Sequence, residues 1–120
     1  MSEQDILTKY RNVVITFIDE LIDQFPSEGE LIMLRFIVND KISDKDLMNI
    51  AIKNLIPNKD FIKDKNDVIF LEKNLFDLNK DIVTKYKKIW RGLNTHNKTT
   101  IWKWLDSIVY IVECYQKIIV

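Results

Sequence analysis

Enzymatic chemistry draws on a few residue types, and this chain is sparing with them: one histidine, His96, and one cysteine, Cys114, among 120 residues. Nucleophilic catalysis needs an activated nucleophile within reach of a base. His96 stands in the polar run Asn94-Thr95-His96-Asn97 and reads as a solvated turn residue, while Cys114 stands in an apolar run and reads as a small core hydrophobe. One His and one Cys cannot assemble a zinc site, and no acidic cluster has the spacing and glycine of a calcium loop. Gly29 and Gly92 are the only glycines. A Walker loop or a dinucleotide fingerprint needs several, so that backbone amides can approach phosphates. Asp19, Glu20 and Asp23 fall on the polar side of a helical stripe, where carboxylates solvate a face rather than form an acid/base pair. The residues therefore point away from an enzyme, a metal, a cofactor and a small-molecule substrate, and towards a protein that works through its surface.

Charge is unevenly spread. Residues 1–30 hold two basic side chains against seven acidic ones, while residues 80–103 hold seven basic against one acidic, although the formal net charge of the chain is +0. The basic segment contributes Lys85, Lys87, Lys88, Arg91, Lys98 and Lys103, interleaved with Tyr86, Trp90, Trp102 and Trp104. Cations meet phosphates and exposed aromatic faces stack on bases, so this segment is a candidate nucleic-acid contact. An acidic and a basic helix in one chain equally suit association with a protein partner or packing within the chain. Trp102 and Trp104 lie two apart and cannot both enter one core from one helix, so one of them is expected at the surface as a contact residue. Arg35 sits alone among Leu31, Ile32, Met33, Leu34, Phe36, Ile37 and Val38. A guanidinium in such surroundings must reach solvent or an acid, which makes Arg35 a candidate for a buried ion pair.

The elements that position these residues read as helices. Two Gly and two Pro are too few for the tight turns of a β-rich fold. Ile6, Tyr10, Val13, Val14, Phe17, Ile18, Leu21, Ile22 and Phe25 form one stripe at three-and-four spacing, stopped by Pro26, with Ser27 placed to cap the next helix. Residues 30–39 are apolar nearly all round and are expected to be a buried helix. Ser43 with Asp46 three residues on opens a helix over residues 44–56 that ends at Pro57. Residues 58–66, rich in Lys, Asp and Asn, read as a mobile loop anchored by Phe61 and Ile62. A short helix follows over 68–76. Asn79 caps another, on which Ile82, Tyr86, Ile89, Trp90 and Leu93 share a face, and after a turn over 92–97 a long helix spans 98–118. Its apolar surface, with Ile101, Trp102, Leu105, Ile108, Val109, Val112, Cys114 and Tyr115, is wider than one neighbour covers. That helix is either central or part of an oligomer interface.

The expectation is a single all-α domain over residues 1–120, a compact bundle of five to six helices with a core large enough to need no metal or disulfide. No stretch approaches the roughly 18 apolar residues of a membrane span, the first residues lack a secretory layout, and a lone cysteine suits a reducing, intracellular compartment.

Two stretches carry a resemblance. Phe17-Ile18-Asp19-Glu20-Leu21, Phe25-Pro26-Ser27-Glu28 and Leu34-Arg35, then Lys88-Ile89-Trp90 and Asn97-Lys98-Thr99-Thr100-Ile101-Trp102-Lys103-Trp104-Leu105, resemble a family of small uncharacterised proteins of nucleocytoplasmic large DNA viruses, of the giant-virus kind. The abundance of Ile and Lys and the near absence of Ala agree with AT-rich coding of that kind. The resemblance implies a viral source, a host-cytoplasm or virion location and a non-enzymatic role, and it transfers no functional residue. The leading expectation is a helical interaction or structural protein that self-associates or holds a protein partner. The alternative is a non-specific nucleic-acid binder using residues 80–103.

Overall fold

The Ser2 hydroxyl accepts from the Asp5 amide at 3.2 Å and the Asp5 carboxylate accepts from the Ser2 amide at 3.3 Å. This reciprocal capping box starts helix α1, Glu3–Gln24. The computed structural model describes residues 2–73 and 80–119, the side chain of Ile82 excepted. Among them the elements are α1, α2 (Gly29–Phe36), a π-helical turn (Ile37–Lys41), α3 (Asp44–Asn54), a 3₁₀ turn (Ile56–Asn58), α4 (Lys59–Lys63), α5 (Val68–Leu71), α6 (Lys80–Gly92) and α7 (Thr95–Ile119). The fold is all-α, with no strand among the described residues.

The centre is an antiparallel pair of the first and last helices. α1 buries Ile6, Leu7, Tyr10, Val14, Phe17 and Ile18 against α7, which buries Ile101, Trp102, Leu105, Ile108, Val109, Ile111, Val112 and Tyr115. Two hydrogen bonds set the register at opposite ends of the pair: Tyr115 Oη donates to Glu3 at 3.0 Å, and Trp104 Nε1 donates to Glu20 at 3.2 Å. Burial pushes the Tyr10 phenol far above its ordinary range, and desolvation followed by the bond to Glu3 raises that of Tyr115. The broad apolar face of α7 is thus largely covered by its own chain, as a central helix requires, while Tyr110, Ile118 and Ile119 on the same helix stay exposed.

α3 closes one side with Leu47, Met48 and Ala51, and Ser43 caps it by accepting from the Asp46 amide at 3.1 Å. The polar stretch expected as a loop is instead largely helical: α4 forms over residues 59–63 and buries Ile62, with Phe61 packed at the edge of the core. A spacing of only two apolar residues hid that single turn. Ser27 does not cap α2; its N-cap position is Glu28, which makes no side-chain cap bond. The helix after Asp67 runs only to Leu71 within the described residues, and the expected cap Asn79 lies outside them. The last helix starts three residues earlier than its periodicity suggested, because Asn94 accepts from the Asn97 amide at 2.8 Å and so draws His96 into the first turn.

Candidate functional site

α2 also departs from expectation. A helix apolar all round was expected to be buried, yet among its residues only Leu31 is fully buried, and Ile32, Met33 and Phe36 are 55%, 59% and 52% exposed. α2 is two turns long and packs chiefly on α1 and on its own π-helical continuation, so one stripe is covered and the opposite one faces solvent. Lys41 reaches back over the Phe36 ring, with Nζ 5.4 Å from its centroid. On the same helix Arg35 does find an acid, donating from Nε to Asp19 at 2.5 Å, and that pair raises its proton affinity. The pair is not buried: the two side chains are 40% and 48% exposed, so Arg35 rims the apolar patch rather than piercing the core.

The guanidinium that enters the interior is Arg11. Its Nε donates to Asp44, Nη1 to the carbonyl of Val38, and Nη2 to the carbonyl of Ile42 at 2.5 Å. The end of a helix leaves carbonyls without partners and carries partial negative charge, so a fork-shaped cation is suited to it. Arg11 closes the π-helical turn onto α1 and α3 at once. Asp44 is held below the usual carboxylate range, first by the Arg11 hydrogen bond, then against desolvation by a bond from Gln4 and by the Arg11 charge.

The basic segment is partly consumed by the fold. Lys85 lies 3.6 Å from Glu28 and 3.9 Å from Glu30, tying α6 to the start of α2. Lys98 lies 3.7 Å from Asp67 and stands 5.0 Å from the centroid of the Trp90 ring. Lys87, Lys88, Arg91 and Lys103 form no ion pair among the described residues. The aromatic part of the segment turns inward. Trp90 stacks on Phe70 with centroids 4.0 Å apart, and Trp102 meets both rings edge-on at 5.2 and 5.3 Å. Trp102 is 4% exposed and so is a core residue, not a contact. Trp104 is half-buried, stacked on Phe17 at 5.6 Å. Residues two apart on α7 both find cover because α5 and α6 receive one indole and α1 the other.

Between α1, α2, the π-helical turn, α3 and α6 lies a cavity of about 150 Å³. Its walls are almost wholly apolar, from Phe17 and Leu21 on α1 through Leu31 and Leu34 on α2 to Ile89 and Trp90 on α6. Glu28, Glu30 and Lys85 border it through their stems. One wall residue, Trp90, also carries a buried indole N–H without an acceptor. Nothing in the residue pattern of the sequence marked this cavity. It arises where four shorter elements meet a long helix without interdigitating.

His96 is exposed, Cys114 packs at the edge of the core, Glu20 accepts from Trp104, and Asp23 faces solvent. Among the described residues no group of three or more His, Cys, Asp or Glu is placed to hold a metal ion, and no helix is long and apolar enough to cross a membrane. Comparison with protein families, curated proteins and solved structures finds no match.

Proposed function

We propose that this chain is a non-enzymatic helical interaction protein that contacts a protein partner, or a second copy of itself, through the exposed turn of α2. The observation that carries the reading is the trio Ile32, Met33 and Phe36, each more than half exposed on one short helix. Large apolar side chains so displayed, rimmed by the Arg35–Asp19 pair and Lys41, have the anatomy of an interface: a hydrophobic centre, a polar rim and an adaptable methionine. This moves the contact surface from the final helix to α2. The resemblance to giant-virus proteins extends the proposal to a virion or virus-factory component in the infected-cell cytoplasm.

In light scattering across a concentration series, or in a pull-down from infected cells, the wild type is expected to self-associate or retain a partner. Replacing Met33 and Phe36 together by glutamate is expected to abolish that association while leaving stability within about 0.5 kcal/mol, since the side chains cover no core. A wild type that stays monomeric and retains nothing, or a double variant that associates as well as the wild type, overturns the reading.

A second reading, non-specific nucleic-acid binding, rests on Lys87, Lys88, Arg91 and Lys103, four cations of the segment that form no ion pair among the described residues. Without an exposed indole it is an electrostatic reading alone. Binding through four phosphate contacts gives a slope of log affinity against log salt of about −3 to −4 on duplex DNA, from counterion release. A low-salt gel shift without retardation of single- or double-stranded DNA or RNA removes it.

A further inference from the structure

We infer that the cavity between α1, α2, α3 and α6 is a binding site for a small neutral apolar molecule of the size of a single aromatic ring. The inference is independent of the α2 contact surface, because it concerns the opposite side of that helix. Three observations carry it. The volume, about 150 Å³ in a cleft partly open to solvent, is the size at which an apolar cavity accepts a benzene-sized guest. Water is a poor occupant, since a buried water needs two to four polar partners and these walls offer almost none. The walls are ring-shaped as well as apolar: Phe17, Phe70, Tyr86 and Trp90 come from α1, α5 and α6, and aromatic walls favour a planar guest through offset and edge contacts.

The charges beside the site narrow the class further. Glu28 and Glu30 both approach Lys85, so the ammonium is already matched and the trio carries a net negative charge. A fatty acid or other anionic amphiphile would bring its carboxylate to a place with no free cation and a surplus acid. A neutral ring meets no such penalty. The Tyr86 hydroxyl is likewise occupied, donating to the Lys73 carbonyl at 2.6 Å, so it is not available to orient a polar ligand.

Benzene itself is the first probe, with hexanoate as the anionic comparison, both added to the full chain. Benzene is expected to shift the methyl resonances of Leu21, Leu34 and Ile89 in two-dimensional NMR. At tenfold excess over its dissociation constant it is expected to raise the melting temperature by about 3–6 °C. Hexanoate is expected to do neither. Leu34→Phe and Ile89→Phe, which fill the cavity from different helices, are each expected to abolish the benzene shifts. Using both keeps the test decisive if one variant folds poorly. Absence of methyl shifts in the wild type at benzene saturation overturns the site, and so do equal shifts in a folded filled variant. Displacement of benzene by hexanoate overturns the ligand class. Neither result bears on association through Met33 and Phe36, which is read separately.

Discussion

Replacing Arg11 by alanine is expected to destabilise the protein by about 1.5–3 kcal/mol, the range for losing charged hydrogen bonds in a half-buried place. The side chain is 18% exposed and serves four acceptors, so its loss takes a donor from the carbonyls of Val38, Asn39 and Ile42 and leaves Asp44 with Gln4 alone. Arg11→Lys is expected to recover only a minor part, because an ammonium is a point donor and cannot span four acceptors that a planar fork reaches together. Urea denaturation at neutral pH checks both. The pH dependence adds a signature. Asp44 has a lowered folded-state pKa, so its stabilisation is fully present above its unfolded value of about 3.9 and is lost as pH falls through the folded one. The gap between wild type and Arg11→Ala should therefore narrow as pH is taken down through the acid range below about 4. An alanine variant within about 1 kcal/mol of wild type at neutral pH would show that the carbonyls find other donors.

Trp102→Ala is expected to cost about 3–5 kcal/mol, the usual range for removing a buried aromatic from a core. Total stability in domains of this size is about 5–15 kcal/mol, so the variant should sit near the edge of folding. Its neighbour supplies the control: Lys103 is exposed, and Lys103→Ala should change stability by less than about 0.5 kcal/mol. The contrast separates a packing role from a contact role, because a tryptophan held for stacking on a ligand could be truncated without penalty to the fold. Equal melting temperatures for Trp102→Ala and wild type would refute the edge-on packing against Phe70 and Trp90.

The long helices were legible because periodicity is a local property. The α1 stripe and the α7 face follow from spacing alone, and their buried residues are largely those that the spacing selected. Arginine placement was not legible in the same way. Arg35 has apolar neighbours in sequence and lies at the surface, while Arg11, between Tyr10 and Asn12, goes inward. Neighbours along the chain do not decide burial; position on the helix does. Leu7, Arg11, Val14 and Ile18 advance by four, three and four, so Arg11 occupies a core-facing position of α1, and that was the readable signal. The exposure of Ile32, Met33 and Phe36 had no such signal, because it depends on which neighbours α2 lacks. The 150 Å³ cavity is a property of packing between elements, and sequence patterns describe only the faces that meet.

The antiparallel clasp of α1 with α7 also bears on how the molecule is reached from the unfolded chain. Its two register-setting hydrogen bonds join residues 84 and 112 positions apart, whereas helical bundles that fold fast are dominated by neighbours in sequence. Helices in the middle of the chain can form early and cover the side of α1 that meets α2 and α3, but the side that meets α7 has no partner until α7 arrives. During synthesis that face waits exposed through the emergence of everything between them. The centre of the native structure is therefore the last part to close, and the interval before closure is when the chain is most open to unintended association.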